Sequence, residues 1–494
     1  MLELWVRLQG GQPVRIAADR NDRGATYHDD MAGKLGTYRI VRDSLIQFLD
    51  VPGNVEYVAV RMPWNPTLVY EPHLMGYRHR IDPFSSAGLS LSGQYPGKYH
   101  APLTAACGPN GGALLGCPED RTVTVAATHQ WAELRFPAPK PYTTAKILVA
   151  ADPAAVQDVG PLLDDFRMAW DGKQADAEWG ETEALAIGIN AQDVANDKLE
   201  LLIRGYVSDY AGLCSTAILW GQQDDPGRGC CQPIIPWRNV ASYAADILTE
   251  ANWSVLPYIR PDGADFAAWM KTHNDHDCSE VYIDHVAGCT PEQIRGIPEV
   301  ARYGGIIEWP TLALPGFSVL ASGCIHGGKG SFTWPDGTPR PENPNLSTWP
   351  DMGRHLFPRT KFWLGTQNGL DASWWGLPDG TATGEPKRFA HATERAAFRL
   401  GMGLIPCPAG WREWQQEHPG EPCPAWSLNA CTDAIMGAWY ASRFLYRQPK
   451  WAGVVDNNPL RYVTAFDCSD GKRLHCIDEW SDTLKVGLSI VEVA

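Results

Sequence analysis

The sequence predicts a multidomain α/β plus β protein. An N-terminal β-sandwich covers residues 1–165, a central TIM-type (β/α)8-like barrel residues 166–450, and a small C-terminal β domain residues 451–494. Three observations carry this expectation. Short β-like runs broken by Gly, Pro, Asn and Asp fill the chain to about residue 150, the spacing of an antiparallel sandwich. From about residue 200, apolar runs alternate with helical patterns. The chain then ends in a β pattern, Leu484 to Val493. With 494 residues and 44% hydrophobic content it can bury a large core, and the length favours two or three domains.

In order, the first part offers strands at Leu2 to Leu8, Pro13 to Ala17, Gly36 to Val41, Val55 to Met62, Arg121 to Ala127, Trp131 to Phe136 and Ala145 to Ala150. The Gly- and Pro-rich interval Ser85 to Cys117 reads as long loops, and its Gly108-Pro109-Asn110-Gly111-Gly112 is turn chemistry. Val156, Val159, Leu163, Phe166 and Trp170 recur at helical spacing, with Gly160-Pro161 as a kink. The acidic stretch Asp171 to Glu181 reads as a linker.

Strands are then expected at Leu199 to Tyr206, Ser215 to Gly221 and Ser254 to Ile259, the last weakened by Pro257. A helix with Val240, Tyr243, Ala244, Ile247, Leu248 and Ala251 on one face lies between the last two. The organising stretch is Ser279 to Trp309. Val281-Tyr282-Ile283-Asp284 and Ile306-Ile307-Glu308 are apolar runs that each end in a carboxylate, and between them Thr290-Pro291-Glu292-Gln293 has the form of a capping box. Strand, helix, strand in about 30 residues is a βαβ unit, whose strands are parallel. Gly316 to Ser322 and Lys361 to Thr366 continue the strands, and His391 to Leu404 and Thr432 to Arg447 the helices.

The charge balance of 42 Lys and Arg against 57 Asp and Glu gives −15, which repels a polyanion, so no nucleic-acid partner is expected. The 21 Trp and 17 Tyr supply flat faces that fill cores and also stack on sugars. No basic and apolar leader opens the chain and no run of about 18 apolar residues occurs, so neither an export signal nor a membrane partner is expected. Compartment stays open, cytoplasmic or virion-associated. Cys107 and Cys117, Cys407 and Cys423, and Cys468 and Cys476 are close pairs that can clip surface loops under oxidising conditions. His273-Asn274-Asp275-His276-Asp277 packs ligand types together, but its polarity fits a solvated loop, and no metal or cofactor is assigned.

Asp284 and Glu308 fall at the carboxyl ends of successive strands, the rim where barrel enzymes carry their chemistry. Either carboxylate alone is better explained by a helix cap or a solvated turn; two at equivalent positions on successive strands weaken that explanation. Cleavage of a glycosidic bond needs such a pair, one group as proton donor and one as nucleophile or base. Trp220, Arg260, Trp309, His326, Asp371, Trp374 and Trp375 are the candidate substrate-binding residues around it.

Trp220 at a strand end, Val255-Leu256-Pro257-Tyr258-Ile259, Tyr282-Ile283-Asp284 and Ile306-Ile307-Glu308 together resemble the barrel of the α-galactosidase and α-glucosidase clan and its uncharacterised relatives, over roughly residues 200 to 310. The domain order resembles that clan as well. The resemblance implies a glycoside hydrolase acting on an oligo- or polysaccharide, with Asp284 as nucleophile. The clan's acid is usually an Asp on a later strand, which makes Asp371 a rival to Glu308. Two further readings use the same residues: a glycan-binding or virion-surface protein that keeps the cleft without chemistry, and a metal-dependent hydrolase built on the His/Asp loop.

Overall fold

The computed structural model describes residues 2–493 apart from 17, 22–23, 29–33, 74–76, 82–87, 157, 173–186, 191–199, 201–202, 205–206, 209–214, 221–238, 260–279, 284–285, 302–303, 309, 321–353, 359, 366–397, 400, 402, 406–436, 440, 445–446, 459–460 and 480–486. The chain forms two units. One comprises Met1–Gln174, Thr311–Ala313 and Thr333–Pro339; the other comprises Ala175–Pro310, Leu314–Phe332 and Arg340–Ala494.

The first unit is built from three antiparallel sheets. In the six-stranded sheet Val55–Pro63 runs between Glu3–Leu8 and Trp131–Pro137, and in a five-stranded sheet Leu103–Gly108 runs between Leu68–Glu71 and Gly111–Gly116. These two sheets share a core in which Val69 and Ala106 of one meet Ala127 of the other. Alternation explains the six-stranded sheet: Leu4 and Val6 are buried while Trp5 and Arg7 face outward. On that outer face the Arg61 guanidinium lies between the Trp5 and Trp131 rings, 4.1 and 4.2 Å from their centroids, and pairs with the buried Glu133 at 2.6 Å.

Three expectations for this unit are corrected. The interval read as long loops contains the strands Ser90–Tyr95, Leu103–Gly108 and Gly111–Gly116, the last two joined by the expected turn. Gly112 and Gly116 are strand residues under close packing: a Cβ on Gly112 would stand 2.8 Å from Leu162, and one on Gly116 2.6 Å from the Phe166 ring. Gly160-Pro161 starts the helix Gly160–Ala169 rather than kinking it, since Pro at the first helical turn removes an N–H that has no partner there. Cys107 and Cys117 are buried thiols that form no disulfide. Cys107 is paired across the hairpin with Gly112, and five residues of strand, about 17 Å, carry the chain on to Cys117, too far for a disulfide. Cys468 and Cys476 are likewise buried and free, with Cys476 paired across its own hairpin with Thr464.

The second unit holds an eight-stranded sheet: Ile187–Asn190, Thr216–Trp220, Ser254–Ile259, Val281–Ile283, Gly305–Ile307, Ser318–Leu320, Phe362–Gly365 and Gly403–Ile405. Every neighbouring pair is parallel, and the strand order is the chain order. Pro257 is accommodated inside its strand, as the register partner of Leu219. The helices Asn239–Glu250 and Pro291–Val300 connect strands as expected. The strand expected at Leu199 to Tyr206 is not found: Glu200, Ile203 and Arg204 are helical, with an i,i+4 Arg204–Glu200 pair at 2.8 Å. The chain ends in a four-stranded antiparallel sheet, Lys450–Asn458, Arg461–Asp467, Arg473–Glu479 and Gly487–Val493. It is fastened inside the same unit by the fully buried Asp478, which accepts a hydrogen bond from Arg399 at 2.6 Å. No helix among the described residues is long and apolar enough to cross a membrane.

Candidate active site

A sheet whose strands all run one way delivers every carboxyl end to one edge. Ile283 and Ile307 are register partners there, so the strands Val281–Ile283 and Gly305–Ile307 finish level. The ladder runs one residue further on one side: the Glu308 N–H donates to the Ile283 carbonyl at 2.8 Å. Glu308 is therefore the first residue to leave its strand, and it is half-buried. The floor beneath this edge is apolar, since Tyr282, Ile283, Ile306 and Ile307 are all buried. The return from one strand to the next is set by the capping box read from the sequence. Thr290 Oγ1 accepts the Gln293 N–H at 3.2 Å, and Gln293 Oε1 accepts the Thr290 N–H at 2.8 Å.

Of the sequence-derived site residues, Glu308 stands at this edge, and Trp220 is the last residue of Thr216–Trp220. That strand is three steps along the sheet from Gly305–Ile307, roughly 14 Å at the usual strand spacing. Asp284, Arg260, Trp309, His326, Asp371, Trp374 and Trp375 lie outside the described residues, as do residues 273–277. No group of three potential metal ligands occurs among the described residues. Sequence reading missed the first and last strands of the sheet. Ile187-Gly188-Ile189-Asn190 does alternate, but over only four residues.

A second concentration of titratable groups lies in the first unit. Tyr99 donates to Glu71 Oε1 at 2.8 Å, and the Tyr70 hydroxyl is 3.1 Å from His100 Nε2. Burial, with the neighbouring His73 adding to it, pushes His100 down to about 3. Burial raises both tyrosines, and Glu71 raises Tyr99 further. His100 is neutral across the ordinary pH range and its carbonyl accepts the Leu312 N–H at 2.9 Å, which makes it a structural group. The depth of its burial is what marks the ring as structural, and sequence does not report depth.

No protein-family profile and no curated protein matches the sequence. Among solved structures, a GH36 alpha-galactosidase from Geobacillus stearothermophilus, in complex with stachyose, matches 96% of this chain and 81% of its own at 8% identity, with a TM-score of 0.50. A GH31 family sulfoquinovosidase from E. rectale, in complex with an aza-sugar inhibitor, matches 90% of this chain and 81% of its own at 9% identity, also with a TM-score of 0.50. Antiparallel sheets ahead of a sequentially ordered parallel sheet and a β domain behind it thus give this chain a fold similar to that of the GH36 and GH31 glycoside hydrolases.

Proposed function

We propose that the protein is a glycoside hydrolase that cleaves an O-glycosidic bond of an oligo- or polysaccharide with Asp284 and Glu308. In this reading the eight-stranded parallel sheet closes as a (β/α)8 barrel over residues 166–450, flanked by the β-sandwich of 1–165 and the β domain of 451–494. The observation that carries the reading is the Ile283–Ile307 register, extended by the Glu308 N–H to Ile283 bond. Residues that follow level strand ends start about one strand spacing, ~4.8 Å, apart. From there two carboxyl groups reach the separations glycosidases use, about 5 to 9.5 Å. The stachyose held by the GH36 neighbour fits a carbohydrate substrate here. Trp220, Arg260, Trp309, His326, Asp371, Trp374 and Trp375 are the residues proposed to hold it.

Glu308 is the proton donor and Asp284 the nucleophile or base. An apolar floor favours the uncharged form of a carboxyl group, as a donor requires. Asp284 follows a strand next to the one that leads into Arg260, and a cation near that edge favours its ionised form. Glu308→Gln should then lose on the order of 100- to 10,000-fold in kcat on glycosides with poor leaving groups, and far less on activated aryl glycosides, which depart without a proton. Equal losses would transfer the acid role to Asp371. Asp284→Asn should abolish turnover of a glycan panel while keeping glycan binding. A wild-type protein that binds glycans and turns none over would be a lectin-like binder instead.

A further inference from the structure

We infer that Gly305 is a positioning residue for Glu308: it lets the strand Gly305–Ile307 close on Val281–Ile283 in the one register that brings Glu308 to the level of its neighbour's end. The role assigned to Glu308 rests on the proposed hydrolase reading; the register itself does not. Gly304 and Gly305 have φ of +83° and +147°, both in the region that L side chains rarely adopt. Their surroundings differ. A Cβ on Gly304 would meet only the Gly316 carbonyl oxygen, at an ordinary 3.5 Å. A Cβ on Gly305 would collide with the Val281 carbonyl oxygen and stand 2.8 and 2.9 Å from the Val281 nitrogen and carbonyl carbon.

These are backbone atoms of the pairing strand, so no side-chain rotation relieves the clash. Val281 is the register partner of Gly305, and its N–H donates to the Gly304 carbonyl at 3.4 Å. The ladder that begins with this pair closes three residues later with the Glu308 N–H on Ile283. A side chain at 305 must push the strands apart at that first rung. Slipping the strand by one residue instead would turn the buried Ile306 and Ile307 over to opposite faces. Gly305 thus acts on Glu308 through the backbone, without touching it.

The test compares Gly305→Ala with Gly304→Ala and Gly316→Ala, which carry the same left-handed strain (φ +88° at Gly316) without the collision. Amide hydrogen exchange at Glu308 reads the register, and turnover of an aryl glycoside reads the site. Gly305→Ala should speed Glu308 exchange at least about tenfold and lower kcat on the order of a hundredfold, the usual consequence of a misplaced catalytic group. The two controls should melt earlier yet keep Glu308 protection and kcat within about twofold of wild type. Should Gly305→Ala not fold, a synthetic 289–323 segment with D-alanine at 305, ligated at Cys289 and Cys324, takes its place. D-alanine favours positive φ and directs its methyl away from Val281, so it should keep the protection. Unchanged Glu308 protection in Gly305→Ala, or lost protection with D-alanine, overturns the inference. A register that behaves as stated in a protein without glycosidase activity overturns the hydrolase reading alone.

Discussion

His100 shows what depth does to one side chain. Its ring is buried beside Tyr70, and a proton on it would be a charge in an apolar interior, so the folded protein holds it far below the ordinary value near 6.5. The unfolded chain binds that proton more readily. Stability contributed by the neutral ring is therefore complete above pH 6.5 and is lost as pH falls toward about 3. Between pH 7 and pH 4 this amounts to at most about 3 kcal/mol at 1.36 kcal/mol per pH unit. Urea titrations at the two pH values should show His100→Gln losing less stability on acidification than the wild type, because a glutamine amide can donate to or accept from Tyr70 and cannot titrate. Parallel curves for the two proteins would show that His100 does not couple to acid unfolding. At the same scale the tryptophans divide by surroundings. Trp170, Trp253, Trp363, Trp439 and Trp451 are core, and Arg61 lies against one face of each of Trp5 and Trp131. Composition alone supplied the excess of rings but not which of them have a free face.

Elements were legible where an apolar run was unbroken and were misread where packing demanded glycine. Val281–Ile283 and Gly305–Ile307 stand out as continuous β-branched and aromatic runs, and Thr290 to Gln293 announces the helix between them, so the place of Glu308 after a strand could be read from residues alone. Gly111–Gly116 carries the same fold information in a form that looks like a loop. Its Gly116 lies under the fully buried Phe166 of the helix Gly160–Ala169. Gly116→Ala should destabilise the first unit by roughly 1–3 kcal/mol through overpacking. Phe166→Leu alone should also destabilise, and the double variant should recover part of the loss, which thermal unfolding of all four proteins measures. Additive losses would place the damage elsewhere in the strand. Glu200, Ile203 and Arg204 are helical where the sequence predicts a strand, because Leu199 to Tyr206 is apolar enough for either state, and the i,i+4 ion pair is the signal that separates them.

Across the whole molecule, the cysteines report on how the chain is held together. Cys107, Cys117, Cys289, Cys468 and Cys476 are buried and form no disulfide, and burial pushes Cys117 up to about 12 and Cys468 up to about 11. These five thiols should resist a thiol reagent in the native protein and become reactive in denaturant, as peptide mapping by mass would show; labelling of any of them in the native state would contradict their burial. The order of antiparallel and parallel sheets along the chain was legible at this scale, because turn-rich β spacing gives way to strand and helix alternation. Strand order in the two units also differs in its consequence for folding during synthesis. In the parallel sheet each strand pairs with the one made before it, so the sheet can grow by one strand at a time as the chain emerges from the ribosome. In the six-stranded sheet Glu3–Leu8 pairs early with Val14–Ile16, but its other edge waits for Val55–Pro63, whose own second edge waits for Trp131–Pro137. Among strands paired on both sides, those of the N-terminal unit, though made first, wait longest for their second partner, and their open edges are what a chaperone has most to protect.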